Sequence, residues 1–253
     1  MARPGSLLLH PASAVSAIAA GWLLAGVATA AEPVHLELVL AVDCSSSVNA
    51  EEFALQMGGI AAAFEDPEVL TAIEQTGERG IAVALLQWSS AGARAEAIPW
   101  TRIRGRADAL DFAGRLRGTA RLVPGGATAI GNAIDAAVLW ILGNGYRGER
   151  AIIDVSGDGR SNEGGSPALA RAAANAAGIT VNGLAILNQE PDLGRYYLAG
   201  VVGGPGAFLL TTASFEDFAA AMRRKLYFEI VGAPVAKAPG PPGRRPLRLS
   251  DAR

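Results

Sequence analysis

The sequence has few of the side chains that build most metal and protease sites. Its 253 residues include two histidines and one cysteine. His10 lies in an N-terminal segment that we expect to be removed, which leaves His35 and Cys44. A zinc site made of histidines and cysteines is therefore excluded. A Ser-His-Asp triad is also excluded, unless His35, close to the predicted mature start, were its base, and nothing in the sequence supports that role.

The chain also lacks the motifs of two large enzyme classes and the means to form a disulfide. It contains no G-x-x-x-x-G-K-[ST] phosphate loop and no G-x-S-x-G nucleophile elbow. With Cys44 alone it can form no internal disulfide, so the fold must depend on its core or on a bound ion. Hydrophobic residues make up 50% of the chain, which is enough for a sizeable core.

The first 30 residues indicate a secretory signal peptide. Arg3 supplies a positive start, an apolar stretch follows, and A-T-A at 28–30 forms a cleavage signal before Ala31. An uncleaved anchor helix is the alternative, although the cleavage signal and the interrupting His10–Pro11 argue against it. No other segment reaches roughly 18 consecutive apolar residues. We therefore expect a periplasmic or secreted protein with no stable membrane span after cleavage.

Residues 233–253 differ in composition from the rest of the chain. They are rich in proline and arginine and carry a net positive charge, whereas residues 31–232 are acidic. A segment of this composition cannot bury a core, so we predict a disordered tail. The acidic body does not favour a nucleic-acid partner. The predicted organisation is a signal peptide over 1–30, one domain over 31–232 and the tail over 233–253.

Apolar runs with strand character alternate with segments of helical periodicity. The predicted strands are 36–42, 79–90, 93–103 (an edge strand that ends near Pro99), 150–155, 179–187 and 207–212. The predicted helices are 49–64, 67–75, 106–117, 130–142, 166–178, 191–202 and 214–230, the last opened by Ser214. This alternation predicts an α/β fold with a doubly wound, mostly parallel sheet flanked by helices. Such folds bind ligands at the carboxyl ends of their strands.

The segment after the first strand concentrates oxygen donors. Asp43, Ser45 and Ser47 are spaced at i, i+2 and i+4, so in an extended segment they project to one side. A carboxylate with two hydroxyls is the kind of donor set that Mg²⁺ or Ca²⁺ prefers. The alternative is ordinary turn chemistry, because Asn49 and Glu52 have the spacing of a helix N-cap and its capping-box partner.

Two other loops at predicted strand ends or helix starts carry matching donors. Thr128 follows two glycines in GGATAIGNAI, at the start of a predicted helix, and Asp158 follows a strand in DVSGDG. A doubly wound topology gathers such loops at one edge of the sheet. The sequence therefore predicts two carboxylates and three hydroxyls at that edge.

These three motifs, in this order and spacing, resemble those of the von Willebrand factor A-type (VWA) domain, also called the integrin I-domain fold, over about residues 35–230. The exported setting is similar to a bacterial group of such domains with no assigned function. The resemblance implies a metal-ion-dependent adhesion site (MIDAS) that holds Mg²⁺, or else Mn²⁺ or Ca²⁺, with one position open for an acidic residue of a partner protein. The implied metal ligands are Asp43, Ser45, Ser47, Thr128 and Asp158.

Several positions leave alternatives open. Asp154, an acid within an apolar strand, is either buried and hydrogen-bonded near the site or competes with Asp158 as the ligand; the strand-end position favours Asp158. Asn162 is either a turn residue or a support for the same loop. The arginine series, six residues, forms either a docking surface for an acidic partner or a solvated face. Its members are Arg102, Arg104, Arg106, Arg115, Arg117 and Arg121.

The resemblance favours a non-enzymatic, exported protein-binding domain. A metal-assisted hydrolase is the first alternative, but it needs a general base beside the metal, and Asp154 is the candidate. A VWA scaffold with a vestigial site is the second alternative, because a fold does not fix a function.

Overall fold

Six strands form one sheet at the centre of the domain. They are β1 (Glu32–Asp43), β2 (Ile81–Trp88), β3 (Arg94–Ile103), β4 (Tyr146–Gly157), β5 (Ile179–Ile186) and β6 (Leu209–Thr212). The computed structural model describes residues 31–232. The predicted signal peptide and tail, residues 1–30 and 233–253, lie outside the described residues. The strand order is β3-β2-β1-β4-β5-β6, with β3 antiparallel to β2 and the other pairs parallel.

Seven α-helices cover the two faces of this sheet. They are α1 (Ala50–Glu65), α2 (Pro67–Gln75), α3 (Arg106–Arg117), α4 (Ile130–Gly143), α5 (Pro167–Ala176), α6 (Leu193–Gly200) and α7 (Phe218–Val231). Helices α1, α2, α3 and α7 bury residues such as Ile60, Phe112 and Phe218 on one face. Helices α4, α5 and α6 bury Ile134, Tyr197 and their neighbours on the other. The predicted doubly wound α/β fold is therefore confirmed.

The strand order reverses between β1 and β4, where doubly wound sheets form a ligand-binding crevice. The chain runs from β1 outward through β2 and β3, and then returns to the other side of β1 as β4. Ligands of doubly wound sheets bind at such a reversal of strand order. Strand β1 ends at Asp43 and β4 ends at Gly157, so the loops that follow them meet at this crevice.

The largest departures from the predicted element boundaries occur in four elements. Strands β1 and β4 begin at Glu32 and Tyr146, four residues earlier than predicted. Strand β3 does not end near Pro99 but continues to Ile103. The proline is accommodated because β3 is an edge strand and its register with β2 shifts at this point, so no ladder bond is required from Pro99. Helix α7 begins at Phe218 rather than at Ser214, because residues 213–217 form bends and turns in which the Phe218 N–H donates to the Phe215 carbonyl at 3.2 Å.

None of the helices within residues 31–232 is long and apolar enough to cross a membrane.

Candidate functional site

The loop after β1 brings its oxygen donors together through a turn. Residues 45–48 are not extended, as the spacing argument assumed, but form a turn in which the Val48 N–H donates to the Ser45 carbonyl at 3.1 Å. The Ser45 N–H donates to Oδ1 of Asp43 at 2.7 Å. The hydroxyls of Ser45 and Ser47 lie 2.9 Å apart. The donors therefore converge as predicted, but through the turn rather than through strand alternation.

The predicted capping box of Asn49 and Glu52 is also present, and it involves other residues than the oxygen donors. Asn49 Oδ1 accepts the N–H groups of Glu51 and Glu52 at 2.9 and 3.0 Å, and the Glu52 carboxylate accepts the N–H of Asn49. This capping box starts α1 without using Ser45 or Ser47. The two serine hydroxyls take no part in capping the helix and lie at the end of β1.

The loop after β4 meets the first loop directly. The Ser47 hydroxyl donates to Oδ1 of Asp158 at 2.6 Å. Asp158 is 1% exposed and Asp43 is fully buried, so both carboxylates lie beneath the surface of the crevice. A continuous chain of hydrogen bonds thus connects Asp43, Ser45, Ser47 and Asp158.

The loop after β4, which contains Asp158 and Asn162, is also hydrogen-bonded to the loop before α4, which contains Thr128. The Thr128 N–H donates to Oδ1 of Asn162 at 2.8 Å, and the Asn162 N–H donates to the Thr128 carbonyl at 2.9 Å. The Thr128 hydroxyl lies 3.9 Å from the point where a Cβ on Gly159 would be, next to Asp158. Asn162 is therefore a support that joins the two loops, and Thr128 lies beside the third loop.

Two buried carboxylate oxygens in this cluster have no hydrogen-bond partner among residues 31–232. They are Oδ2 of Asp43 and Oδ2 of Asp158. Burial raises the pKa of Asp43 to about 7, against the lowering effect of the bonds from Ser45, and the Asp158 charge raises it further. Burial also raises the pKa of Asp158, which the bond from Ser47 partly offsets. Unpartnered buried carboxylates are costly unless a cation compensates them.

A guanidinium supports the first loop from behind. Arg121 donates to the carbonyls of Ser45 at 3.0 Å, Val48 at 2.7 Å and Val123 at 3.3 Å, and also to that of Cys44. Sequence analysis grouped Arg121 with five other arginines as a surface series and did not predict this support of the loop. Four other members of the series also make contacts within the domain. Their contacts are Arg102 with Glu32, Arg104 with Asp108, Arg115 with Thr101 and Arg117 with Glu65.

Two residues that the sequence did not single out lie beneath Asp43. Tyr197 on α6 is fully buried, and its hydroxyl has no hydrogen-bond partner within residues 31–232. A Cβ on Gly157 would lie 2.8 Å from Oδ2 of Asp43 and 2.9 Å from the Tyr197 hydroxyl. Burial, reinforced by the charge of Asp43, raises the pKa of Tyr197 well above its ordinary value. Gly157 lies within the DVSGDG motif but was not singled out, and Tyr197 belongs to none of the three motifs.

Asp154 lies in a different cluster. Its Oδ1 is 2.8 Å from Nζ of Lys225 on α7, and that ammonium is 2.6 Å from Oε1 of Glu229. All three side chains are buried between the sheet and α7. Asp154 is thus buried and paired, as one of the two alternatives proposed, but its partner is Lys225 rather than the five-oxygen cluster.

A comparison with protein-family models matches residues 33–234 to DUF1194, described as a protein of unknown function, and the chain belongs to this family. A comparison with curated proteins finds no match.

Solved structures of von Willebrand factor A type match the domain. Proximal thread matrix protein 1 of the mussel byssus, with a zinc-occupied MIDAS motif, is 20% identical, with a TM-score of 0.57 over 79% of this chain and 48% of its own. The vWF domain of the type V pili tip protein Mfa5 from Porphyromonas gingivalis is 12% identical, with a TM-score of 0.56 over 79% and 96%. A von Willebrand factor type A protein from Catenulispora acidiphila is 15% identical, with a TM-score of 0.52 over 78% and 43%.

This chain spans about half the length of the mussel chains that it matches. At these identities the matches establish the fold, which is that of a VWA-type domain.

Proposed function

We propose that this VWA-type member of DUF1194 is an exported, metal-dependent binding domain that captures an acidic residue of a partner protein. The proposed ligands of the divalent cation are Asp43, Ser45, Ser47, Thr128 and Asp158. The observation that carries the proposal is the junction of the first and third loops. There the Ser47 hydroxyl contacts both Ser45 and Asp158, while one buried oxygen on each of Asp43 and Asp158 has no hydrogen-bond partner within residues 31–232.

The donor set fits a hard divalent cation. Two carboxylates and three hydroxyls are all oxygen ligands, as Mg²⁺, Mn²⁺ and Ca²⁺ prefer. A bound cation would supply a Lewis-acidic position that can accept a carboxylate from outside the domain. Three of the five donors are neutral hydroxyls, which compensate little positive charge. The chain's own residues therefore leave room for an additional acidic ligand, and we infer that a partner protein provides it.

The relatives support an adhesion-type role outside the cell. The mussel protein carries a zinc-occupied MIDAS motif, and other matched structures are a pilus adhesin from Lactobacillus rhamnosus GG and a pilus tip protein. A periplasmic or secreted location agrees with the predicted signal peptide. We propose Mg²⁺ as the physiological cation, with Mn²⁺ and Ca²⁺ as alternatives that the experiment below can include.

The geometry gives less support to a metal-assisted hydrolase. A hydrolase needs a general base within reach of the reacting water. The candidate from the sequence, Asp154, is paired with Lys225 beneath α7 and does not face the five-oxygen cluster. His35 lies in β1 eight residues before Asp43, toward the opposite end of the strand. The binding module is therefore the better-supported function.

Thermal or chemical unfolding with Mg²⁺ and with EDTA tests the proposal. A cation that binds only the folded state should stabilise the protein by about 2.7 kcal/mol at about 100 times its dissociation constant. Asp43→Ala removes one of the two carboxylates and should abolish most of that gain. It should not unfold the metal-free protein, because it removes a buried carboxylate that has no positively charged partner in the described part of the chain. Asp111→Ala, an exposed acid on α3, is the control and should keep the full gain.

Identical unfolding of the wild-type protein in Mg²⁺, Mn²⁺, Ca²⁺ and EDTA would falsify the metal site. A modest loss of stability in Asp43→Ala, the same with and without cation, would indicate that the loop residues serve only the turn.

A further inference from the structure

The fold leaves two buried oxygen atoms facing the same small space under the first loop. Oδ2 of Asp43 and the hydroxyl of Tyr197 both border the position where Gly157 lacks a side chain, at 2.8 and 2.9 Å. Neither atom has a hydrogen-bond partner among residues 31–232. A hydroxyl is a donor and a carboxylate oxygen is an acceptor, so each atom is the partner that the other lacks.

We propose that Tyr197 is a positioning residue for the cation site, whose hydroxyl donates a hydrogen bond to Oδ2 of Asp43 when the cation is bound. This inference rests on the proposed function. A carboxylate oxygen has two lone pairs, so Oδ2 can accept from Tyr197 and still face the oxygen cluster. Because the Ser45 N–H already holds Oδ1, a bond at Oδ2 fixes the carboxylate at both ends.

The sheet is shaped to admit this ring. A Cβ on Gly183 of β5 would lie 2.9 Å from Cδ1 of Tyr197, and a Cβ on Gly157 of β4 would lie 2.9 Å from the hydroxyl. Two neighbouring strands therefore carry glycine where the tyrosine passes. The Tyr197 carbonyl accepts the N–H groups of Val201 and Val202 at 2.8 and 2.9 Å, which anchors the backbone. The ring is fixed from several sides and its hydroxyl is directed beneath Asp43.

The two roles that a buried tyrosine could have predict opposite results. If the hydroxyl serves only packing, its removal should not change cation affinity. If it positions Asp43, the metal-free protein should tolerate its removal, because an unpartnered buried hydroxyl contributes no bond. Cation affinity should fall, since the loss of a hydrogen-bond partner of a metal ligand typically costs about 10–100-fold.

Tyr197→Phe tests the inference, with Tyr227→Phe on α7 as the matched control. Affinity for Mg²⁺ is measured by calorimetric titration of the folded proteins, and metal-free stability by urea unfolding. We expect Tyr197→Phe to bind Mg²⁺ about 10–100-fold more weakly, with metal-free stability equal to or above wild type. Mg²⁺ should also shift the near-ultraviolet tyrosine absorbance of the wild type and of Tyr227→Phe, but not that of Tyr197→Phe.

Mg²⁺ binding by Tyr197→Phe within less than about 10-fold of wild type would overturn the inference and leave the metal site standing. A wild-type protein that binds no Mg²⁺ would overturn both the inference and the proposed function, so the two failures are distinguishable.

Discussion

The buried charges beneath α7 should make stability depend on pH. Asp154, Lys225 and Glu229 are all fully buried or nearly so, with two carboxylates against one ammonium. Asn182 on β5 donates to Oε1 of Glu229 at 3.2 Å. Arg150 on β4 is the remaining charge near Glu229, but its guanidinium donates to the Ile230 carbonyl. Among residues 31–232, the two carboxylates of this cluster therefore share a single ammonium group.

Glu229 is a carboxyl group of this cluster whose pKa is raised. Burial raises its pKa to about 7 from an ordinary 4.5, and the Asp154 charge adds to this, while Lys225 and Asn182 oppose it. The folded state thus holds the proton more tightly than the unfolded chain does. Its contribution is fully present below the ordinary pKa and is lost as the pH rises toward about 7. At about 1.4 kcal/mol for each unit of pKa difference, the loss is on the order of 3 kcal/mol.

Glu229→Gln removes this titration and keeps a similar shape. Urea unfolding at about pH 5 and about pH 8 should show wild type losing on the order of 3 kcal/mol more than Glu229→Gln over that interval. Glu74→Gln, which removes an exposed carboxyl on α2, should follow wild type. Asp43 titrates in the same range in all three proteins, so its contribution cancels in the comparison. Parallel pH profiles for wild type and Glu229→Gln would refute the argument.

Two further substitutions test the supports of the proposed cation site. Gly157→Ala should destabilise the domain by about 1–3 kcal/mol and weaken the stabilisation by Mg²⁺, because its Cβ would meet Oδ2 of Asp43 at 2.8 Å. Gly143→Ala, which has open space around it, is the control in the same melts. An unchanged stabilisation by Mg²⁺ in Gly157→Ala would contradict the predicted crowding. In Arg121→Lys the ammonium cannot bond several carbonyls at once, so Mg²⁺ binding should be weaker in calorimetric titration. The exposed Arg106→Lys is the control and should bind Mg²⁺ like wild type. Equal affinities in the two variants would show that Arg121 does not order the loop.

The architecture was predictable because its signals are local. Helices α2 and α3 occupy the predicted ranges. At the start of α2, Asp66 accepts the N–H groups of Glu68 and Val69, and Pro67 occupies the first turn. The strand–helix alternation was sufficient for the doubly wound topology. The wrong boundaries arose where tertiary context decides: the bulge that tolerates Pro99, and the turn that delays α7 beyond Ser214.

Of the proposed cation site, only the motif residues were predictable from the sequence. Asp43, Ser45 and Ser47 were found from their spacing, although a turn rather than an extended strand brings them together. Arg121, Gly157 and Tyr197 were missed because each acts through a contact that is distant in sequence. No motif marks a guanidinium behind a loop, and the position of Gly157 in the DVSGDG motif does not reveal that it lies beneath the Asp43 carboxylate. That Lys225 is the partner of Asp154 could not be inferred either, since the lysine lies within an amphipathic helix like any solvated residue.

Strand β4 and its end carry two buried aspartates, and their partners distinguish their roles. Asp154 has the ammonium of Lys225 within 2.8 Å, so its charge is compensated by the protein itself. The hydrogen-bond partners of Asp43 and Asp158 within residues 31–232 are a backbone N–H and a serine hydroxyl, which carry no net charge. A buried carboxylate without a cation must either take up a proton or acquire a counter-ion. Asp154 has an ammonium partner and Asp158 has none among residues 31–232, and this difference, in addition to sequence position, is why we assign Asp158 and not Asp154 to the proposed cation site.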